Sequence, residues 1–558
     1  MRDQERKTYN RLVDWIKGEK NEQQDSRSNA TTGFVHPSLE LFSVHYSTAG
    51  DGDGGIYRGI RVAAGATISK GTLLARIPAH MTLNGERCPK GAENASPWLR
   101  CLVALIHARV RQRSISGVAN KSKTDHGSID FTPYLESLPE VFNTILDWLA
   151  DDLKELRGTA LHDTILQSSA GTCIAQEEEE NLENGMMKAC RERFESKIIQ
   201  GCLNSGGVIH EEEVSFDEFL YATQCISTRG FNMNMHDDEE SSSLSPPQVD
   251  LPTESSLYRG PFLIPFIDLL NHCSSSDKRK ATTLRRDPSD SSFFLEAERH
   301  LTSEEELLHS YGDLNSHQCL QTFGFVDLGR SRSVLLSAQE NCTPAVVFTA
   351  EIVAVCKDVA TRAEQMQVPF VNFDDDVEIW DPTECWDRKI KFLDEEGVIP
   401  TKISLPYSED IRDELLTCCC VLFLPEEAFD DFIQNPALLD ESLLDDTFLF
   451  SMVQQAIISI VDKKMTNYEG SYGDKCTTGD DIRELSKLVH EQSQVTCSPI
   501  LYRKIAALTI RIEEKRCLRC LRNIISHNVG DRHRDKISII RRDDDLETQI
   551  SPKRARMS

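Results

Sequence analysis

The chain has 558 residues and a mass of 63.0 kDa, beyond the ~250–300 residues at which one core stops growing, so two domains, or one domain with a large insertion, are expected. Lys and Arg number 62 against 90 Asp and Glu, a net charge of −28. That charge repels phosphate and excludes a general affinity for bare nucleic acid; a basic protein partner fits better. No apolar run reaches the ~18 residues of a membrane helix. The opening MRDQERKTYNRLVDWIKGEK has no apolar core, against a secretory signal. Eighteen scattered cysteines then read as reduced thiols of a cytoplasmic or nuclear protein. The CxxC of Cys517 and Cys520 has no second pair at zinc spacing, so no metal is expected.

In chain order, residues 1–35 are polar and predict a short helix and a loose arm. Residues 56–78, broken by Gly59, Gly65 and Gly71, predict small strands and tight turns. SPWLRCLVALIHARVRQR, from Ser96, is a helical pattern. Past a polar loop at 114–130, Pro139 opens a stretch whose Val141, Phe142, Ile145, Leu149, Leu153 and Leu156 predict one amphipathic helix. An acidic run at 177–180 reads as a solvated helix face. Ser215 and Glu218 form a capping-box pattern before FLYATQCI. Residues 234–258 have the composition of a disordered loop. The apolar run GPFLIPFIDLLNHC follows, then a basic loop, the strand-like SFFLEAE, and LLHSYGDLNSHQCLQTFGFVD. From about residue 343 to 526 the pattern is helical, and Leu501, Ile505, Leu508 and Ile512 make one stripe on the last helix. The tail from 527 is charged.

Three apparent motifs fail on chemistry. The DGDGG at 51–55 starts like a calcium loop, but its twelfth position is Val62. GGIYRG is not a dinucleotide fingerprint, since no long helix follows it. His272 and Cys273 are sequence neighbours whose side chains diverge, so they make no nucleophile pair. The informative residues are Asp268, Asn271 and His272 inside an apolar run. Buried polar groups must be satisfied, so on their own these residues fit a core hydrogen-bond network as well as a site. Tyr311 on its own fits a core aromatic equally well.

Read in order, these pieces resemble SET-domain protein methyltransferases of the Rubisco large-subunit lysine methyltransferase-like class. RGIRVAAGATISKGTLLARIP is similar to the first SET strands. SPWLRCLVALIHARV and FTPYLESLPEVFNTILDWLADDLKELRGTAL resemble the helical insertion. SFDEFLYATQCISTRGF resembles the helix ending in a serine–arginine–aromatic motif. GPFLIPFIDLLNH resembles the Pro-x-x-Asp-x-x-Asn-His motif, and LLHSYGDLNSHQCLQTFGFVD the closing tyrosine–glycine motif. YGDKCTTGDDIREL and AALTIRIEEKRCLRCL resemble the helical substrate-binding domain. The likeness runs from about 56 to 525, and its specificity lies in the order and spacing of the motifs.

The resemblance implies an α+β fold: a SET β-fold with knot-like closure and a helical insertion, then a mostly α-helical substrate-binding domain. The implied division is a polar arm at 1–40, the SET domain at 41–340 with its insertion at about 90–258, the helical domain at 345–526 and a charged tail at 527–558. It implies S-adenosylmethionine as cofactor, contacted by Arg58, Gly59, Ile60, Arg229, Asp268, Asn271, His272 and Phe323. Arg229 corresponds to the arginine that meets the methionine carboxylate, a task suited to a guanidinium fork. Tyr311 corresponds to the catalytic tyrosine. The implied reaction is methyl transfer to a lysine of a non-histone protein, by a chain acting as a monomer. The sequence departs from the class at Phe323, where tyrosine is usual. It departs again at Asn315–Ser316, which inverts a Ser–Asn pair, and at Ser227–Thr228–Arg229. Phe323 leaves a histidine target open, and also an inactive, SET-derived interaction protein. The Cys-rich segment that many histone-directed SET enzymes carry is absent from the sequence.

Overall fold

The computed structural model describes residues 3–18, 32–45, 56–89, 92, 95–117, 129–170, 185–196, 200–201, 214–234, 258–275, 277–327, 342–365, 385–395, 400–408, 411–435, 447–469, 477–494 and 499–527. Outside these lie the DGDGG stretch, the acidic run at 177–180, most of the 234–258 loop, the YGDKC stretch and the charged tail from 528. The chain divides into two compact units. The first comprises residues 1–153, 164–332 and 486–506, the second 154–163, 333–485 and 507–558.

The first unit holds helices α1 (Asp3–Lys17), α2 (Pro97–Gly117), α3 (Thr132–Leu135), α4 (Ala150–Lys154), α5 (Ala160–Ala170), α6 (Gly185–Glu195), α7 (Phe216–Arg229) and α8 (Ser316–Phe323); the ends of α4 and α5 near residues 154–163 count with the second unit. Its strands are β1 (Phe34–Val35), β2 (Leu39–His45), β3 (Ile56–Val62), β4 (Leu73–Ile77), β5 (Leu83–Asn84), β6 (Gly230–Asn234), β7 (Tyr258–Leu263), β8 (Asn271–His272), β9 (Thr282–Arg286), β10 (Phe293–Ala297) and β11 (Leu308–His309). They form small sheets in the orders β1-β4-β10-β9 and β5-β7-β6, with β2 paired to β3 and β8 to β11. β10 lies antiparallel to β4, and its alternating Phe293, Leu295 and Ala297 are buried, the period-2 pattern of a half-buried strand. Helix α1 buries Tyr9, Leu12 and Ile16 in the same core. Gly65 and Gly71 take φ of +77° and +78° in the turns between β3 and β4, as their spacing predicts.

The single amphipathic helix expected from Pro139 does not form. The segment is a 3₁₀ turn (Ile145–Asp147), the short α4, and then α5. The Asp147 carboxylate accepts from both the N–H and the hydroxyl of Thr144 at 3.0 Å, a local bond that competes with helix propagation. Trp148 is extended at φ −75°, ψ 134°, and Gly158 has φ +81°. Ile145, Leu153 and Leu156 are buried, whereas Val141 and Leu149 face solvent at 83% and 71% exposure; one continuous stripe would have buried all five.

The second unit holds α9 (Thr349–Gln365), α10 (Trp386–Glu395), α11 (Asp413–Phe423), α12 (Glu426–Gln434) and α13 (Thr447–Glu469). Helices α14 (Thr478–Gln494) and α15 (Pro499–His527) each contribute to both units. The helical pattern read over 343–526 overlooks two strands, β12 (Ala345–Phe348) and β13 (Lys402–Leu405), which pair antiparallel within a mostly helical unit. Cys418, Cys419 and Cys420 are fully buried thiols in α11, and Cys356 Sγ lies 4.0 Å from Cys419 Sγ, small apolar fillers of the core. On α15 the stripe of Ile505, Leu508 and Ile512 is buried, but so are Arg511, Glu513, Glu514 and Lys515. Asp481 pairs with Arg511 at 2.8 Å and Lys515 at 2.9 Å. Glu514 accepts from the Ala160 N–H at 3.1 Å and from the Tyr468 hydroxyl. Burial pushes the Glu514 carboxyl up to about 8, against the opposing pull of Tyr468 and Lys464. From Ile505 to Lys515 every residue of the helix is therefore buried, and the charges there persist because each finds a partner.

Gly324, the αL cap of α8 at φ +78°, leaves 2.3 Å between an added Cβ and the Asn143 carbonyl. Gly65, at nearly the same φ, has open space. Gly324→Ala is therefore expected to destabilise by more than the ~1–2 kcal/mol of a left-handed L-residue, and Gly65→Ala by no more than that. Urea midpoints of the two variants decide it: equal losses would mean that the carbonyl does not press on Gly324.

Candidate functional site

The parallel pairing of β8 with β11 assembles the site. Asn271 registers with Leu308 and His272 with His309, so the PFIDLLNH run lies beside the start of HSYGD. The Tyr311 N–H donates to His272 Nδ1 at 3.1 Å. For Nδ1 to accept, the imidazole must be neutral with its proton on Nε2. The Tyr311 hydroxyl donates to the Leu270 carbonyl at 2.5 Å. Burial, foremost, raises the Tyr311 pKa, so the hydroxyl stays protonated.

Asp268 sits in a 3₁₀ turn (Ile267–Leu269) that follows Phe266, which is held at φ 71°, ψ −46°. Backbone in this region is costly for a non-glycine residue, and Phe266 is fully buried against Tyr9 of α1, ring centroids 6.3 Å apart. Arg229 arrives as the last residue of α7, whose N-terminus is capped by Ser215 accepting from the Glu218 N–H at 3.2 Å. Its Nη1 donates to the Asp268 carbonyl at 2.7 Å and lies 3.7 Å from Asp268 Oδ2. The Tyr134 hydroxyl donates to the same Oδ2 at 2.9 Å. Arg229 Nε and Asp268 Oδ1 are both buried and have no hydrogen-bond partner. Burial raises the Asp268 pKa, opposed by Arg229, the Tyr134 bond and Arg58. Arg58 is a second positive charge within electrostatic reach of this carboxylate, and its pKa falls through burial and the like charge of Arg229.

Gly59 and Ile60 lie on β3, both buried. A Cβ on Gly59 would meet Asn271 Nδ2 at 2.7 Å and Glu306 Oε1 and Phe42 Cε1 at 2.9 Å. The close approach at this glycine is thus made by protein side chains. Asn271 Nδ2 donates to the Arg58 carbonyl and to Glu306 Oε1, both at 2.8 Å, which ties β8 to β3. Phe323 lies 5.0 Å from Tyr311 between ring centroids, Tyr311 5.0 Å from His272, and His272 5.9 Å from Phe325. Phe323 and Phe325 are also 5.9 Å apart, so the four rings close a cluster at the spacing aromatic contacts prefer. The inverted Asn315–Ser316 has a local reason: Asn315 caps α8 by accepting from the Gln318 N–H at 2.9 Å while Gln318 reaches back to the Asn315 N–H at 3.0 Å.

Three residues were not singled out from the sequence. Tyr134 and Glu306 carry no local pattern, since their partners lie 134 and 35 residues away. Phe325 could have been found, because it closes the FGF whose Phe323 drew attention. Cys517 and Cys520 donate to the carbonyls of Thr343 and Ser408, and no His/Cys/Asp/Glu cluster fit for a metal occurs among the described residues.

Replacing Asn271 by Asp would put a carboxylate against Glu306 and the Arg58 carbonyl. Like charges raise each other's pKa, so the penalty grows as pH rises through the raised value and is relieved below it. Asn271→Asp is expected to cost about 1–3 kcal/mol at pH 7 and less at pH 5. Thermal melts at the two pH values check this; a pH-independent loss would refute the carboxylate contact.

No protein-family model matches the chain, and no curated protein matches it. Among solved structures, it is similar to the SET domain of LSMT bound to MeLysine and AdoHcy, with 14% identity, a TM-score of 0.52, and coverage of 93% of this chain and 92% of the other. It is also similar to Rubisco LSMT bound to AdoMet, with 14% identity, a TM-score of 0.51, and coverage of 94% and 92%. No helix among the described residues is long and apolar enough to cross a membrane. At this identity the likeness is one of architecture, and it gives the chain the SET-domain methyltransferase fold.

Proposed function

We propose that the chain is an S-adenosylmethionine-dependent protein methyltransferase acting on a lysine side chain of a non-histone protein. The observation that carries this reading is the buried Arg229–Asp268 pair, which leaves one donor (Arg229 Nε) and one acceptor (Asp268 Oδ1) unused. A buried donor and a buried acceptor that both lack partners are costly unless a ligand supplies them. The zwitterionic amino-acid end of S-adenosylmethionine fits: its carboxylate suits Arg229 and its ammonium suits Asp268. Relatives of this fold bind the same class of molecule, as their AdoMet and AdoHcy complexes record. Gly59, Ile60, Asn271, His272 and Phe323 complete the proposed pocket. The β8–β11 pairing supports the knot-like closure that the sequence resemblance implies.

When bound, S-adenosylmethionine would supply an electrophilic methyl, whose carbon the deprotonated target nitrogen would attack in line as the C–S bond breaks and S-adenosylhomocysteine leaves. The protein's task is then alignment and a dry electrostatic environment. Tyr311 commits its proton to the Leu270 carbonyl, which fixes the hydroxyl and leaves its lone pairs for weak contacts to the polarised methyl. Because burial keeps this hydroxyl protonated, Tyr311 orients the nitrogen and does not take the lysine proton. The second unit, with its helical core, is proposed to hold the protein substrate. A second reading, a histidine target, is favoured by one observation: Phe323 stands 5.0 Å from Tyr311 without a hydroxyl, so a less basic ring nitrogen would lose nothing there.

Calorimetric binding of S-adenosylmethionine, followed by transfer of labelled methyl onto a cell extract and mass spectrometry of the product peptide, tests the proposal and separates lysine from histidine. Binding without transfer to any protein would favour an inactive interaction protein. Arg229→Ala is expected to weaken cofactor binding by about 2–4 kcal/mol, the loss for one side of a desolvated charge pair; unchanged affinity sinks the assignment. Tyr311→Phe should bind the cofactor nearly as before while transfer falls by about 10²–10³-fold. Transfer within a few-fold of the parent would make Tyr311 a packing residue.

A further inference from the structure

Tyr134 belongs to none of the elements that build the candidate site. It lies on α3, within the segment that the sequence resemblance assigns to the helical insertion, yet it is fully buried. Its backbone is fixed on both sides: the Tyr134 N–H donates to the Phe131 carbonyl at 3.0 Å, and the Ser137 hydroxyl donates to the Tyr134 carbonyl at 2.6 Å. The side chain then has one polar contact, the 2.9 Å bond from its hydroxyl to Asp268 Oδ2. A carboxylate has two equivalent oxygens and a soft terminal torsion. Left alone beside Arg229, Asp268 would be free to turn both oxygens toward the guanidinium and make a closed ion pair. The hydroxyl of Tyr134 holds Oδ2 and leaves Oδ1 without a partner.

We propose that Tyr134 is a positioning residue, which pins the Asp268 carboxylate so that Oδ1 and Arg229 Nε stay open as a matched acceptor and donor for the amino-acid end of the cofactor. This rests on the functional reading above. It gives the insertion a part in ligand recognition: the segment supplies the group that keeps the zwitterion subsite from collapsing on itself. The charged and titratable groups that face Asp268 are Arg229 and Cys225 of α7, Arg58 of β3, Tyr134 of α3, and Tyr311.

The test compares two probes on the full chain. S-adenosylhomocysteine carries the amino-acid end; 5′-methylthioadenosine shares the adenosine and sulfur but lacks it. Tyr134→Phe is expected to weaken S-adenosylhomocysteine about tenfold or more, the scale of one hydrogen bond to a charged group, and to leave methylthioadenosine within about twofold. A merely structural role would weaken both together, and that result overturns the proposal. The pH profile is a second readout. Protonation of Asp268 removes the acceptor charge, so S-adenosylhomocysteine binding falls on the acid side. The Tyr134 bond pulls the Asp268 pKa down; without it, the acid limb should move to higher pH. An acid limb that does not move also counts against the proposal. If the phenylalanine variant does not fold, Tyr134→Met, which fills the space without a hydroxyl, is read in the same way. Failure of the parent chain to bind S-adenosylhomocysteine overturns the functional reading and this proposal together, whereas parental binding with equal losses for both probes overturns this proposal alone.

Discussion

A buried carboxylate paired with one guanidinium is the constraint around which the first unit is arranged. Asp268 is almost wholly out of solvent, and an isolated charge there would be prohibitive. Its tolerance depends on Arg229, which reaches both its main chain and its side chain, and on the hydroxyl of Tyr134. These three residues come from α7, the 3₁₀ turn before β8, and α3. Satisfying one carboxylate therefore fixes three distant segments relative to one another. Phe266, strained at positive φ, is kept in place by the core beneath it, so the packing of α1 and the geometry of Asp268 are one problem.

The two-residue ladder of β8 and β11 does the complementary work. Alone it would be too short to persist. It is reinforced by the side-chain amide of Asn271, which bridges to β3 and Glu306, and by His272, which accepts from the Tyr311 N–H. Gly324 then lets α8 end against the Asn143 carbonyl, with Phe323 and Phe325 on either side of the turn. The aromatic cluster of Phe323, Tyr311, His272 and Phe325 follows from that turn and from the register of the ladder. Within the second unit the same rule operates: α15 carries Arg511, Glu513, Glu514 and Lys515 into the interior, where Asp481, Thr343, Tyr468 and Ala160 pair with them.

What was legible in the sequence was whatever depends on neighbours in the chain. The turns at Gly65 and Gly71, the Ser215 cap, the strand at 293–297 and the long helix at 97–117 are set by residues a few positions apart. The order of the motifs around Arg229, Asp268, Asn271, His272 and Tyr311 was legible too. Where local signals competed, periodicity misled: the apolar spacing after Pro139 resembles a helix, but the Asp147 carboxylate closes a turn on Thr144 and Gly158 breaks the run. On α15 Ile505, Leu508 and Ile512 of the expected stripe are buried and Leu501 is half-buried, whereas the burial of the charged faces was not read.

By itself, then, the sequence determined the elements with local causes and named most of the residues that meet at the site, because caps, turns and spaced motifs are written over short stretches of chain. Only the tertiary structure decided that Tyr134 holds Asp268, that Asn271 bridges to Glu306 beside Gly59, and that α15 is buried from Ile505 to Lys515 with its charges there paired. Those outcomes depend on which desolvated polar group meets which partner across tens or hundreds of residues, and a pairing of that kind leaves no periodic trace along the chain.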